Sequence, residues 1–168
     1  IVNKIKEHKP DSEFIYIGTH NRMEKDIIPK LNIKYIPLKV YGFTKNMFKN
    51  FENLFLIFKS YQKCLKIIKE FQPDIVIGAG GYVTYPILKA ANKLKIKTLI
   101  HEQNAIPGKS NKNLSKFVDR ICVSFKESLA YFPEAKTVVT GNPCSENAIN
   151  IKPANKKDFG LSLNKKLI

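Results

Sequence analysis

Apolar residues fall along this chain in short runs, separated by stretches whose apolar positions recur every three or four residues. Residues 13–18 form a β-rich run ending in Gly18, and residues 33–38 form another in which Pro37 marks an end or an edge position. Residues 74–78 are apolar after Asp74, as a parallel strand covered on both faces is. Residues 98–101, 120–123 and 137–140 are the next three strand candidates. Between them the spacing predicts helices over residues 20–30, stopping near Pro29, and over 46–71, 85–94 and 111–117. The longest of these carries Met47, Phe51, Leu54, Phe55, Phe58, Tyr61, Leu65 and Ile68 as a single stripe. Strands and helices alternating in this way predict a doubly wound, mainly parallel α/β sheet, whose ligands sit in the loops at the carboxyl ends of the strands. Residues 151–166 are dominated by Lys, Asn, Pro and Asp and read as a linker, with a strand pattern resuming only at Leu167 and Ile168.

Composition narrows this picture. With 168 residues, 43% of them hydrophobic, the chain can build one packed core of ordinary size. No apolar run approaches the roughly 18 residues of a membrane span, and no apolar stretch at the front reads as a signal peptide. The net charge of +15 is mostly lysine: of 29 basic residues only Arg22 and Arg120 are arginine. Nucleic-acid binders concentrate arginine and aromatics on one face, whereas these lysines are spread along the whole chain. Nucleic acid is therefore not an expected partner, and an anionic surface is the functional alternative to a merely solvated one. Cys64, Cys122 and Cys144 have no metal-ligand or redox spacing, the three histidines form no ligand pattern, and no D-x-D pair is present. No metal or cofactor is expected, and a reducing cytoplasm is the default compartment.

Four loops carry candidate chemistry. Gly78-Ala79-Gly80-Gly81-Tyr82 follows the strand at 74–78 and precedes a helix, so its N–H groups can approach an anion at a helix start. It lacks the G-K-[ST] of a Walker loop, and a plain tight turn is its other reading. His101-Glu102-Gln103-Asn104 ends the next strand. There Glu102 and Asn104 either bind sugar or nucleotide hydroxyls or cap neighbouring turns, and His101 reads first as a partly buried histidine. Thr140-Gly141-Asn142-Pro143 is a turn signal. In the segment 41–51, Phe43, Met47, Phe48 and Phe51 interleave with lysines. They are either core or an amphipathic surface for an anionic membrane.

The order P-D-I-V-I-G-A-G-G-Y-V over 73–83, H-E-Q-N over 101–104 and T-G-N-P over 140–143 resembles the MurG family. These are N-acetylglucosaminyltransferases that convert lipid I to lipid II in peptidoglycan synthesis. The resemblance extends over nearly the whole chain, including Gly18-Thr19 and Val118-Asp119. It implies a GT-B enzyme of two Rossmann-like domains with the active site between them, inverting and metal-independent. The acceptor C4 hydroxyl of N-acetylmuramic acid attacks the donor anomeric carbon, and UDP leaves. Residues 1–150 would be the amino-terminal acceptor-binding domain and 151–168 the linker and the start of a donor-binding domain. Gly80, Gly81 and Tyr82 would line the acceptor diphosphate site, supported by His101, Glu102 and Gln103. Asn104 would contact UDP-N-acetylglucosamine, and Ser145 is a weak donor-site candidate, because Cys144-Ser145-Glu146 stands where the family often has an Arg. Tyr85 replaces a small residue, which would reshape the acceptor loop. The family's first strand and its G-G-T-G-G-H loop, whose His is the favoured base, would precede Ile1. No catalytic residue is then expected within the chain, and the chain alone is expected to be inactive. The implied partners are UDP-N-acetylglucosamine, lipid I and the anionic inner membrane surface at 43–59, reached from the cytoplasmic face. Other readings are a related GT-B transferase, a sugar-nucleotide epimerase, or a non-enzymatic polyanion-binding α/β module.

Overall fold

A computed structural model describes residues 1–42, 45–145, 149, 151, 160 and 162. Phe43 and most of the linker at 151–168 lie outside the described residues. The elements run α1 (Val2–His8), β1 (Ile15–Thr19), α2 (Glu24–Ile27), β2 (Lys34–Leu38), α3 (Met47–Phe71), β3 (Ile75–Gly78), α4 (Thr84–Lys93), β4 (Lys97–Glu102), α5 (Lys109–Leu114), β5 (Arg120–Val123) and β6 (Thr137–Val139). All six predicted strands form. The helix expected over residues 20–30 is reduced to the single turn of α2 and a 3-10 turn at Pro29–Leu31, because Pro29 cannot extend the ladder.

Every strand pairing is parallel, but the strands form two sheets rather than one: β1-β2 and β3-β4-β5-β6. Ile17 of β1 and Val76 of β3 pack on one core cluster, so strand number rises outward from the break in both directions, the order of a doubly wound sheet about its switch point. Pro37 lies in β2, which pairs only with β1, so its missing N–H costs no ladder bond on an edge strand. Lys63 donates from Nζ to the Pro37 carbonyl at 2.9 Å, tying α3 to that edge. At the far end of α3, Gln72 takes a left-handed φ of 50° before Pro73 and turns the chain into β3.

Two clusters form the core. The first joins Leu38, Cys64, Ile68, Ile87, Ala90 and Ala91 beneath α3 and α4, with Ile17 of β1 and Val76 of β3 packed against it. The second joins Leu88, Ile100, Leu114, Val118, Ile121, Val123 and Phe132 around β4 and β5, and it also touches Val76. Burial pushes the Cys64 thiol up to about 12, so this cysteine is a packing group.

The stripe expected on α3 holds only along its second half, where Tyr61, Leu65 and Ile68 pack inward. Along the first half the inward positions are Asn53, Ile57 and Ser60, while Met47, Phe48, Phe51, Leu54, Phe55 and Phe58 face solvent. The reason is local bonding. Asn53 grips the backbone of Tyr41, and Ser60 donates to the Lys39 carbonyl, so polar groups face the β2–α3 loop and the bulk turns outward.

Asp119 fixes the register of β4 against β5. Its Oδ2 accepts from both the N–H and the Oγ1 of Thr98 at 2.8 Å, and Thr98 Oγ1 accepts from the Asp119 N–H at 3.0 Å. These bonds hold the Asp119 carboxyl below the usual carboxylate range. A lowered folded pKa means stability that is present above the unfolded pKa and lost as pH falls through the folded one. Replacing Asp119 with Asn should lower stability by about 1 kcal/mol at neutral pH. In urea titrations the difference from the wild type should shrink on acidification, and a difference independent of pH would contradict this account.

Candidate functional site

Parallel pairing puts the carboxyl ends of all the strands of one sheet on one side, so the predicted loops share a rim. The loop after β3 is shaped by its glycines for two different reasons. Gly78 leaves no room: a Cβ there would lie 2.3 Å from Thr84 Cγ2 and 2.7 Å from Leu88 Cδ1, so only glycine lets α4 come down on the strand. Gly80 and Gly81 instead supply backbone conformation, with φ of 92° and 82°. Their carbonyls are held inside the protein. Thr84 Oγ1 donates to the Gly80 carbonyl, and Ser110 Oγ donates to that of Gly81 at 2.9 Å. The N–H groups of residues 80–83 meet no acceptor among the described residues, and α4 begins directly after them. Bound carbonyls, unclaimed amides and a helix start are the features with which a backbone turn can receive an anion. Tyr82, 47% exposed, stands at its edge. Tyr85, in the first turn of α4, is part of the packing beneath the loop. It packs against the second core cluster and meets Phe117 edge-on at 6.2 Å.

The loop after β4 is built around one carboxylate. Glu102 is 1% exposed and accepts four hydrogen bonds. Its Oε1 takes the N–H and Nδ2 of Asn104 at 3.0 and 2.9 Å, and its Oε2 takes the Gly108 N–H and Asn111 Nδ2 at 3.1 and 2.9 Å. Of the two readings of Glu102, the turn-organising one is the one its contacts fit; this supporting carboxylate has no free face for a sugar. Asn104 is exposed, with its amide nitrogen committed to Glu102 and its carbonyl oxygen free of that bond. Gln103 is exposed and lies opposite the glycine loop, its Nε2 3.8 Å from where a Cβ on Gly80 would sit.

His101 is buried, and its Nε2 lies 3.1 Å from the Gly141 carbonyl and 3.5 Å from Ser124 Oγ. It therefore ties the end of β4 to the T-G-N-P turn, where Gly141 has a φ of 74° and Asn142 Oδ1 accepts the Cys144 N–H at 3.0 Å. Ser145 stands exposed at the end of that turn, its N–H on the Asn142 carbonyl. The rim thus runs from Tyr82 and Gly80 through Gln103 and His101 to Gly141. Two residues on it escaped the sequence reading: Ser110, and Asn111, which is buried against His101 and Glu102 with Oδ1 unpartnered. The polar run S-N-K-N just after Gly108, inside a helix start, was the available signal.

The candidate membrane residues Met47, Phe48 and Phe51 are exposed, Phe48 by 90%. Leu54, Phe55 and Phe58 extend the same face of α3. No helix of the described residues is long and apolar enough to cross a membrane.

Removing the Glu102 carboxylate strands four donors, two of them backbone amides. Glu102→Ala should cost about 2–4 kcal/mol in thermal or chemical unfolding. Glu102→Gln should recover only part of this, because its amide nitrogen points a donor at donors.

Comparison with known proteins agrees with this architecture. Residues 1–123 match the family model described as the glycosyltransferase family 28 N-terminal domain. A Bacillus pumilus protein, named as a UDP-N-acetylglucosamine–N-acetylmuramyl-(pentapeptide) pyrophosphoryl-undecaprenol N-acetylglucosamine transferase, is 43% identical over 99% of this chain and 46% of its own length. Its Bacillus subtilis namesake is 39% identical over 99% of the chain and 47% of its own length. The chain thus spans about half the length of the curated relatives it matches. The crystal structure of Acinetobacter baumannii MurG is 31% identical with a TM-score of 0.66, covering 84% of this chain and 40% of that one. UDP-GlcNAc 2-epimerase from Neisseria meningitidis shares the fold at 16% identity and a TM-score of 0.62, covering 84% and 41%. With its parallel α/β sheets and its glycine loop, the chain belongs to the glycosyltransferase family 28 N-terminal domain family, the amino-terminal half of the GT-B fold.

Proposed function

We propose that this chain is the acceptor-binding part, residues 1–150 followed by a linker at 151–168, of an enzyme that makes lipid II. That enzyme transfers N-acetylglucosamine from UDP-N-acetylglucosamine to the C4 hydroxyl of lipid I. The carrying observation is the glycine loop: two left-handed glycines with bound carbonyls and unclaimed amides at the start of α4, set beside the H-E-Q-N loop. The likeness to relatives bearing that transferase name supports it.

In this reading the amides of Gly80, Gly81 and Tyr82 receive the diphosphate of the lipid-linked acceptor, where the helix start favours negative charge. Glu102 and His101 do not react. They hold the H-E-Q-N and T-G-N-P loops together, and Asn104 presents its free oxygen, with Ser145 beyond it, toward the donor sugar nucleotide. One bond forms between the acceptor C4 oxygen and the anomeric carbon, and the bond from that carbon to the UDP oxygen breaks with inversion. The hydroxyl proton passes to a base supplied from the loop that the family resemblance places before residue 1. His101 is given a holding role in this reading, because its ring is buried with Nε2 against the Gly141 carbonyl.

Access to a lipid-linked substrate calls for a membrane-facing surface. The outward face of α3, with Met47, Phe48, Phe51, Leu54, Phe55 and Phe58 beside exposed lysines, has the chemistry of one that rests on an anionic bilayer from the cytoplasmic side.

Protein expressed with its complete flanking coding sequence should transfer labelled N-acetylglucosamine to a lipid I analogue, and the 168-residue chain alone should not. Absence of product from the complete protein overturns the proposal. In flotation with phosphatidylglycerol vesicles, a Phe48→Ser, Phe55→Ser double variant should bind at least about tenfold more weakly than the wild type. Both should bind poorly to neutral phosphatidylcholine vesicles. Equal binding by the variant and the wild type would remove α3 from the membrane surface.

A further inference from the structure

Gly42 lies in the loop between β2 and α3, and its φ is outside the left-handed region. Its backbone does not require glycine, but its surroundings do. A Cβ at this position would lie 2.6 Å from two ring carbons of Tyr82 and 2.8 Å from the phenolic oxygen. The Tyr82 ring therefore rests on the bare Cα of Gly42, a close approach that any side chain would block.

The turn beneath the ring is itself fixed. Asn53, buried on the inward face of α3, accepts the Tyr41 N–H at 3.0 Å and donates to the Tyr41 carbonyl at 2.6 Å. The Tyr41 ring meets His20 edge-on at 5.6 Å, with its hydroxyl 3.2 Å from Nε2. His20 follows β1, and its N–H donates to the Leu38 carbonyl of β2 at 3.3 Å. The aromatic ring of the glycine loop, which belongs to the second sheet, is thus seated on a turn anchored to the first sheet and to α3.

We propose that Gly42 is a positioning residue that seats Tyr82, so that the size of the residue at 42 sets how the glycine loop receives a diphosphate-bearing ligand. The functional half of this rests on the reading of Gly80, Gly81 and Tyr82 as the acceptor-diphosphate site. An added side chain acts on the ring and not on the fold. The backbone at 42 is not left-handed, the three atoms nearest an added Cβ are the far end of the Tyr82 side chain, and that side chain is half exposed and free to swing away. Asn53 acts one step further back, through Tyr41.

Two measurements on the 168-residue chain test this. In NMR spectra the Gly42 Hα signals should be displaced by the ring current of Tyr82, and Tyr82→Leu should return them to ordinary positions. Gly42 signals that ignore Tyr82 overturn the seat. In titrations with a short-chain polyprenyl diphosphate, Gly42→Val should weaken binding about tenfold with the unfolding midpoint unchanged. In a Tyr82→Ala background the same substitution should cost nothing further. An equal loss in both backgrounds, or a loss that tracks the unfolding midpoint, assigns Gly42 a merely structural role and overturns the proposal. A wild-type chain that binds no diphosphate overturns its functional half, while the ring-current shift still decides the seat. A complete protein that binds the diphosphate yet transfers no sugar leaves the seat standing and defeats the transferase reading instead.

Discussion

The geometry of the rim depends on the burial of one carboxylate. Glu102 ends β4, one of the two strands flanked on both sides by partners, and leaves almost no surface in contact with water. A buried carboxylate is costly unless donors surround it, and here four do so from three places: the residue two along, the turn at Gly108 and the first turn of α5. Satisfying Glu102 therefore dictates the path of residues 103–108. It also brings α5 close enough for Ser110 to hold the Gly81 carbonyl. The glycine loop is supported from one side by its own helix and from the other by a network that begins at Glu102.

The helix α3 shows how polar positions can outrank apolar ones in setting orientation. Its apolar stripe, read alone, predicts a helix lying on its aromatic side. In the structure Asn53 and Ser60 share one inward face with Ile57, Cys64 and Ile68, and they reach the backbone of the β2–α3 loop, which has no ladder partner there to satisfy it. A loop carbonyl or amide left buried and unpaired costs about 1–3 kcal/mol, comparable to the burial an exposed Phe forgoes, so polar contacts compete with apolar ones for the inward side. The outward aromatics are therefore available for another surface, while the inward Asn53 sets the turn on which Tyr82 sits.

Much of this was legible in the sequence because strand, turn and glycine signals are local. The six strands, the parallel order, the edge position of Pro37 and the placement of both loops followed from periodicity and from the G-G-Y and H-E-Q-N runs. Gly80 and Gly81 were legible as special because a positive φ is a property of the residue itself. Gly42 was not, because its need for glycine comes from a ring forty residues away. Asn111 was missed for the same reason: its partners are at 101 and 102, and nothing in its own neighbourhood distinguishes it from a solvated helix residue. The orientation of α3 stayed open between core and outward surface for Met47, Phe48 and Phe51, because hydrophobic spacing locates a stripe but does not say whether a competing polar contact claims the inward side.

The break between the sheets gives these long-range contacts more weight than they would have in a continuous sheet. Among the described residues β1 and β3 each use one edge only, and Tyr16 and Ile75 remain substantially exposed at them. No ladder of backbone hydrogen bonds joins the two pieces, so their relative placement rests on side chains. The contacts that span the break among the described residues include the cluster in which Ile17 and Val76 pack under α3 and α4, and the seating of Tyr82 on Gly42 at the carboxyl ends. The first is apolar and non-directional, and it resists separation more than sliding. The second is a specific fit whose position is pinned by Asn53. Register between the halves at the carboxyl-end rim is therefore set by a glycine, a ring and a buried amide, and that ring directly follows the two left-handed glycines.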